Sequence, residues 1–218
     1  MSARILYGLD RLPRGIAPDD PRLPGVPEAG GVLRLNSIAL PRAIQAGAGP
    51  THSARIAAMR SWLEDSCGDY ARSRRAFVAA YLDLIVARIA RHRPALEAGL
   101  ARFGGLYTPE DWFWSAPRPL PRAWLPSPSG PVFAEIAFRL ADGPLALVFA
   151  DATPEAALRA AAIPMRRLGP AALADHAALT AALGEFQTPF RAAFWEDEIL
   201  PRSPFRRELG ALAASAPG

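Results

Sequence analysis

The sequence predicts an α+β fold, with a helical N-terminal half followed by a small mixed β-sheet and its flanking helices. Three observations lead to this prediction. Apolar residues recur at helical spacing over residues 73–103, whereas apolar and polar residues alternate over residues 131–140. A short apolar run of the buried-strand type follows at 145–151. With 50% hydrophobic residues in 218, the chain can bury a substantial core.

Residues 1–50 contain seven prolines and seven glycines, a composition that disfavours a long helix. Apolar residues are still present toward the end of this segment, at Val32, Leu33, Leu35, Ile38 and Leu40. We therefore predict an extended arm that lies along a surface, either of this domain or of a partner.

A helical region is predicted over residues 51–107. Ile56, Met59 and Leu63 share one face of a first helix. A second, longer helix carries the strongest apolar stripe in the chain: Phe77, Tyr81, Leu84, Ile85, Ile89 and Leu96. Pro94 is expected to bend or end this helix near His92, because proline lacks the backbone N–H that a helix interior needs.

Residues 108–130 form an aromatic and proline-rich lead-in to a small α/β domain that extends over 108–218. Thr108-Pro109-Glu110 is a typical helix start, but the prolines that follow predict a short helix and then no regular structure. Tryptophan and arginine are frequent in binding hot spots, so six residues are candidates for a partner-binding surface. They are Trp112, Phe113, Trp114, Arg118, Arg122 and Trp124. Two alternatives are that the rings pack this segment onto its own domain, or that they stack bases of single-stranded nucleic acid.

The α/β part is predicted to begin with a hairpin of two strands over residues 132–151, joined by a turn at Ala141-Asp142-Gly143-Pro144. Thr153-Pro154-Glu155 begins a short helix, residues 163–168 form a third strand, and residues 170–186 form an amphipathic helix. Thr188-Pro189 and Ser203-Pro204 predict two further short C-terminal helices.

Composition excludes several kinds of chemistry. All 25 basic residues counted as Lys or Arg are arginine, which rules out a Walker-A lysine, a lysine Schiff base and a lysine general base. Cys67 is the single cysteine, so an internal disulfide and a multi-cysteine zinc site are excluded. The formal charge of +4 is carried by an alanine-rich, lysine-free composition typical of GC-rich coding, so it need not indicate nucleic-acid binding.

The three histidines are also weak candidates for metal binding or catalysis. His176 lies beside Asp175 on a helix, where adjacent residues point to different faces, and His52 and His92 are expected to be solitary. No spacing typical of transition-metal ligands is present. Neither a signal peptide nor an apolar run of membrane-spanning length is found, which predicts a soluble cytoplasmic protein without membrane contact.

The order of a hairpin, a short helix, a strand and a helix over residues 131–184 resembles the PD-(D/E)XK nuclease fold, particularly its compact bacterial branch related to very-short-patch repair endonucleases. The resemblance implies that Glu135 stands for the first-strand acid, that Asp151 lies near the second acid, and that Arg167 matches the strand arginine. In this family the acids bind Mg²⁺, which polarises the phosphate and prepares a water for attack. The chain departs from the family at Val148 and Phe149, where an acid and a lysine or second acid are expected.

The resemblance and the exclusions together predict a pseudoenzyme: a non-catalytic accessory or partner-binding protein with a nuclease-like core, no cofactor and an incomplete metal site. Its partner is expected to be another protein or a second copy of the chain. One alternative is a Mg²⁺-dependent nuclease or other phosphodiesterase that uses Glu135 and Asp151 as metal ligands, with Arg167. The other is a DNA-binding protein without catalysis, whose affinity would fall steeply with salt.

Overall fold

A computed structural model describes residues 4–15, 17, 20–35, 51–68, 72–140, 143–149 and 155–184. It confirms the predicted α+β class, because the two long helices lie in the N-terminal half and pack on a six-stranded mixed sheet, four strands of which follow them in the sequence. The strands are β1 Arg4–Leu6, β2 Gly25–Pro27, β3 Leu120–Leu125, β4 Val132–Leu140, β5 Gly143–Phe149 and β6 Met165–Leu168. The α-helices are α1 His52–Ser66, α2 Arg72–Leu100, α3 Glu155–Ala160 and α4 His176–Gly184. Short 3-10 helices cover Ala101–Phe103, Pro109–Ser115 and Pro170–Leu173.

The strand order in the sheet is β2-β1-β3-β4-β5-β6. Strands β3, β4 and β5 form an antiparallel meander, in which Ile136 pairs with Pro121 on one side and with Leu147 on the other. Strand β6 returns through α3 to lie parallel to β5, with Val148 opposite Arg167. Within residues 131–184, the predicted order of hairpin, short helix, strand and helix is therefore present among the described residues.

The N-terminal arm belongs to this sheet. Strands β1 and β2 pair with each other, and β1 pairs with β3 through Leu6 and Trp124. Of the two surfaces predicted for the arm, its described residues lie along the chain's own domain. The part of the arm from 36 to 50, with Ile38 and Leu40, lies outside the described residues.

Helix α1 is capped by Thr51, whose hydroxyl accepts a hydrogen bond from the Ala54 amide at 3.2 Å. Pro94 was predicted to bend or end the second helix near His92. The helix does not end there, because α2 continues to Leu100. Proline removes one hydrogen bond, the one to the Ala90 carbonyl. Ile89 and Leu96 are buried on either side of Pro94, and their packing offsets that loss.

The prediction that residues 115–131 lack regular structure is also wrong, because β3 covers Leu120–Leu125. Pro121 is tolerated in this strand because its partner β1 pairs only at Leu6 and Trp124, so no ladder hydrogen bond from the Pro121 nitrogen is needed. The Pro121 carbonyl accepts a hydrogen bond from the Gly8 amide at 2.9 Å.

Two hydrophobic cores lie on opposite faces of the sheet. The first lies beneath α1, α2 and α4 and includes Met59, Phe77, Tyr81, Phe113, Phe138, Leu147 and Leu179. The second lies beneath α3 and the arm and includes Ile5, Val26, Leu33, Leu120, Ala134, Val148 and Leu158. Residues from the arm, the helical region and the α/β part contribute side chains to the first core, which therefore joins all three predicted segments.

The alternation of side chains changes phase in the middle of β4. Ala134 belongs to the second core, whereas Ile136 belongs to the first, although residues two apart normally share a face. The change coincides with Arg122 of β3, which has a φ of +50° and lies between the pairs Pro121–Ile136 and Ala123–Ala134. This local distortion accompanies the approach of Glu135 to α2.

Within the described ranges, none of the helices combines the length and the apolar character needed to cross a bilayer. The turn residues Ala141 and Asp142, the first two residues of Thr153-Pro154-Glu155, and the predicted C-terminal helices beyond residue 184 lie outside those ranges.

Candidate functional site

Glu135, the candidate first-strand acid, is bound by a cation of its own chain. Its Oε2 atom lies 3.1 Å from Nε of Arg74, which stands in the first turn of α2. The side chains are 19% and 13% exposed, so the pair is largely shielded from water. The contact lacks hydrogen-bond alignment, which makes it a Coulombic ion pair. Arg74 therefore supplies the positive charge that a metal ion would otherwise provide at this carboxylate.

Arg167, the candidate strand arginine, lies on the opposite face of the sheet. Its guanidinium donates to Glu155 of α3, whose carboxylate also accepts from Arg159 at 3.2 Å. These two hydrogen bonds, first the one from Arg167 and then the one from Arg159, lower the pKa of Glu155. The structure therefore does not bring Glu135 and Arg167 together.

Asp151, the third residue of the alternative metal site, lies outside the described residues. In the described part of the chain, no three His, Cys, Asp or Glu side chains are grouped closely enough to hold a metal ion. Val148, which stands where the nuclease pattern has an acid, is fully buried in the second core.

The aromatic and proline-rich segment is not the exposed surface that one interpretation predicted. Trp112, Phe113 and Arg118 are 5%, 0% and 1% exposed, so these three side chains lie in the interior of the described structure. The rings of Trp112 and Phe113 pack in the first core, as the alternative interpretation predicted. The 3-10 helix Pro109–Ser115 turns them inward, and its first turn is capped by Asp111 Oδ2, which accepts from the Thr108 amide at 2.7 Å.

The other three candidates are half-buried and occupied by contacts within the chain. Arg122 donates from Nε to the Ser66 carbonyl and from Nη1 to Asp10 Oδ2, each at 2.8 Å. The Trp124 indole donates to the Leu9 carbonyl at 2.8 Å, and Trp114 packs edge-to-face on Phe113. These contacts join the end of α1 and the arm to β3, so the segment has a structural role.

Arg118 is an unusual buried cation. Its guanidinium carbon lies 4.4 Å above the Trp62 ring centroid and 5.2 Å from that of Tyr7. Its Nε and Nη2 atoms have no hydrogen-bond partner among the described residues. Burial lowers the pKa of Arg118, and the interaction with Tyr7 acts in the opposite direction. The charge is thus stabilised mainly by aromatic faces.

Arg139 anchors the N-terminal arm, a role that the sequence did not predict. It donates from Nε to the Gly31 carbonyl at 2.9 Å and from Nη1 to the Pro27 carbonyl at 2.7 Å, which ties the arm to β4. Desolvation lowers its pKa. An arginine on an alternating strand carries no local signal that its partners are carbonyls more than a hundred residues away.

His52, expected to be solitary, lies beside Thr108 and Asp111. Its Nε2 atom is 3.4 Å from the Thr108 hydroxyl and 3.7 Å from Asp111 Oδ1. The Thr108 hydroxyl is also 3.2 Å from Asp111 Oδ2. In a nucleophilic triad the imidazole stands between the hydroxyl and the acid. Here the acid contacts the hydroxyl directly, so this cluster is a connection between α1 and the 3-10 helix.

Among the described residues, two open cavities are candidate binding sites. The first, of about 570 Å³, lies where the parallel strands β5 and β6 end at Phe149 and Leu168, beside Arg72 and Ser73 of α2. Crevices at the carboxyl ends of parallel strands commonly bind ligands. Residues 69–71 and 150–154, which adjoin this cavity in sequence, lie outside the described residues.

The second cavity, of about 520 Å³, is a groove between α2 and α4, which we call the α2–α4 groove. Its lining combines apolar residues, which we call its floor, with two arginines, which we call its edge. The residues that line it are Leu84, Ala87, Arg88, Arg91, His176, Ala177, Thr180 and Ala181. Helix α4 is held in place by the buried residues Leu179 and Leu183 and by Asp175, which caps it through the Ala178 amide at 2.7 Å. The groove therefore lies between two helices that are packed on the first core.

Comparison of the chain with protein-family models, with curated proteins and with solved structures finds no match in any of the three. The candidate function therefore follows from the α2–α4 groove and from the ion pairs of Glu135 and Arg167.

Proposed function

We propose that this protein is a non-catalytic binding protein that holds an acidic, apolar segment of a protein partner in the α2–α4 groove. One observation carries the proposal: the groove combines an apolar floor with a positively charged edge supplied by Arg88 and Arg91. Such a groove is complementary to a peptide with bulky apolar side chains flanked by carboxylates.

The floor favours large side chains on the partner. Three of its positions are alanine, at Ala87, Ala177 and Ala181, so the helix backbones are accessible to an approaching ring. Leu84, which is buried, also lines the groove. Aromatic or branched side chains would bury the most apolar surface here.

The positions of the candidate catalytic residues also support a binding role. The carboxylate of Glu135 is paired with Arg74, and Arg167 is paired with Glu155 on the other face of the sheet. Metal-dependent phosphodiester cleavage needs carboxylates that converge on one ion. The described partners of Glu135 and Arg167 hold these two side chains apart.

Fluorescence anisotropy of labelled peptides tests the proposal. The probes are synthetic 15-residue peptides that combine glutamates with phenylalanine and tryptophan, and matched peptides in which lysine replaces every glutamate. We expect the acidic probes to bind the full chain with micromolar affinity and the lysine probes to bind at least tenfold more weakly.

The variant Arg91→Glu should weaken binding of the acidic probes about tenfold, because it reverses a charge at the groove edge. Arg55→Glu is the matched control, since Arg55 is an exposed arginine on α1 and does not line the groove. Equal effects of the two substitutions, or no binding of the acidic probes, would overturn the proposal. Tighter, Arg91-dependent binding of a DNA oligonucleotide would instead identify a nucleic-acid-binding protein.

A further inference from the structure

We infer that residues 190–200 of the same chain occupy the α2–α4 groove as an internal ligand, with which any external partner segment must compete. The inference rests on the proposed function, because it assigns an occupant to the same groove. The contact is formed within one molecule, by the segment that follows α4 in the sequence.

The segment begins close enough to reach the groove. Helix α4 ends at Gly184, one turn beyond Ala181, which lines the groove. The nine residues of α4 span about 13 Å at the rise of an α-helix. Residues 185–189 can extend over about 17 Å, which is enough for the chain to reverse and run back along α4. Thr188 and Pro189 lie in this connection and favour a turn.

The chemistry of the segment matches the groove. Its sequence, FRAAFWEDEIL, contains the aromatic residues Phe190, Phe194 and Trp195, followed by three consecutive acids at 196–198. Arg191 is its single basic residue. Aromatic rings fit a floor of alanines, and the acidic run is complementary to Arg88 and Arg91 at the edge.

Tethering makes even a weak internal contact effective. A short connection gives an effective concentration of the order of 1 mM. If the free segment binds with a dissociation constant of about 100 µM, the tethered segment fills the groove in about nine molecules of ten. The apparent affinity of an external peptide then falls about tenfold.

Disulfide trapping in the full chain tests the contact directly. In a Cys67→Ala background, cysteines are placed at Ala177 in the groove and at Ala193 in the segment. The matched control pairs the Ala193 position with Ser129, an exposed residue in the turn between β3 and β4. In a glutathione redox buffer, we expect the 177–193 pair to form an intramolecular disulfide at least tenfold faster than the 129–193 pair.

Charge exchange adds a second readout to the same experiment. Arg91→Glu should slow disulfide formation severalfold, and adding Glu198→Arg should restore the rate. Equal rates for the two cysteine pairs would overturn the inference, and so would disulfides found only between molecules.

Competition separates failure of this inference from failure of the proposed function. A labelled peptide of residues 186–200 is added to the wild-type chain and to the full chain with Glu196→Lys, Asp197→Lys and Glu198→Lys. We expect binding to the triple variant to be about tenfold tighter. If the peptide binds both forms equally and Arg91→Glu weakens this binding, the internal ligand is overturned but the proposed function is not. No Arg91-dependent binding of this peptide or of the acidic probes would overturn both proposals.

Discussion

Nε of Arg74 lies 3.1 Å from Oε2 of Glu135, and this contact joins the first turn of α2 to the middle of β4. Arginine in a first helical turn is unfavourable, because the N-terminus of a helix carries a partial positive charge. The carboxylate of Glu135 offsets that repulsion at close range. The pair therefore has a structural role at the position where the nuclease resemblance implies a metal ligand.

Glu135→Gln should destabilise the fold by about 1–3 kcal/mol, since it leaves the guanidinium of Arg74 largely buried without its counter-charge. Urea unfolding followed by circular dichroism measures this change. Arg74→Gln should cost a similar amount, and the double variant should cost less than the sum of the two. Strict additivity would show that the two side chains do not depend on each other.

The intact chain should not cleave DNA. Incubation of the pure protein with single-stranded and double-stranded DNA, with and without Mg²⁺, is expected to leave both substrates intact, because Glu135 and Arg167 face opposite sides of the sheet. Mg²⁺-dependent cleavage that is absent in Glu135→Ala would contradict the binding role and establish the nuclease alternative.

Arg118→Met should leave stability unchanged or raise it by up to about 2 kcal/mol, because it replaces a buried cation with an apolar chain of similar length. Arg118→Ala should lower stability by about 2–4 kcal/mol, since it opens a cavity beside Trp62. Thermal unfolding of both variants tests this pair of expectations. A large loss in Arg118→Met would mean that the contacts of the guanidinium with Trp62 and Tyr7 outweigh the cost of its burial.

Because Cys67 is buried, its thiol should make the free energy of unfolding depend on pH in the alkaline range. The Cys67 thiol donates to the Leu63 carbonyl at 3.3 Å, and desolvation raises the thiol pKa to about 11, against the attraction of Arg74, Arg75 and Arg122. Between about pH 9 and 11 the unfolded chain releases this proton while the folded chain retains it, so the free energy of unfolding falls as pH rises.

The size of this fall is about 2–3 kcal/mol for a change of two pKa units, and it should be missing from Cys67→Ala. The comparison must be made between the two proteins at each pH, because burial also raises the pKa of Tyr81. Parallel pH profiles for wild type and variant would contradict the expectation. At pH 8 the native thiol should react with iodoacetamide far more slowly than the thiol in urea.

Local sequence patterns predicted the elements whose signal is periodic. The stripe from Phe77 to Leu96 identified α2, and the alternation from Val132 to Phe138 identified β4. Thr108-Pro109-Glu110 marked the start of a short helix correctly. These predictions succeeded because capping and helical or strand periodicity depend on residues only a few positions apart.

Short strands with proline or glycine escaped prediction. Strands β1 and β2 have three residues each, too few for a periodic signal, and β3 contains Pro121. They exist because β3 pairs with β4, and because Arg139 holds the arm through backbone carbonyls. Partners so distant along the chain leave no trace in local composition.

By itself the sequence determined the α+β class, the long helices, and the absence of lysine and of an internal disulfide, since these depend on composition and near-neighbour spacing. Only the tertiary structure decided which arginines are interior, that Glu135 meets Arg74 while Arg167 faces the other side, and that α2 and α4 enclose a groove. The physical reason is that burial and pairing of charges depend on how separate elements pack against each other.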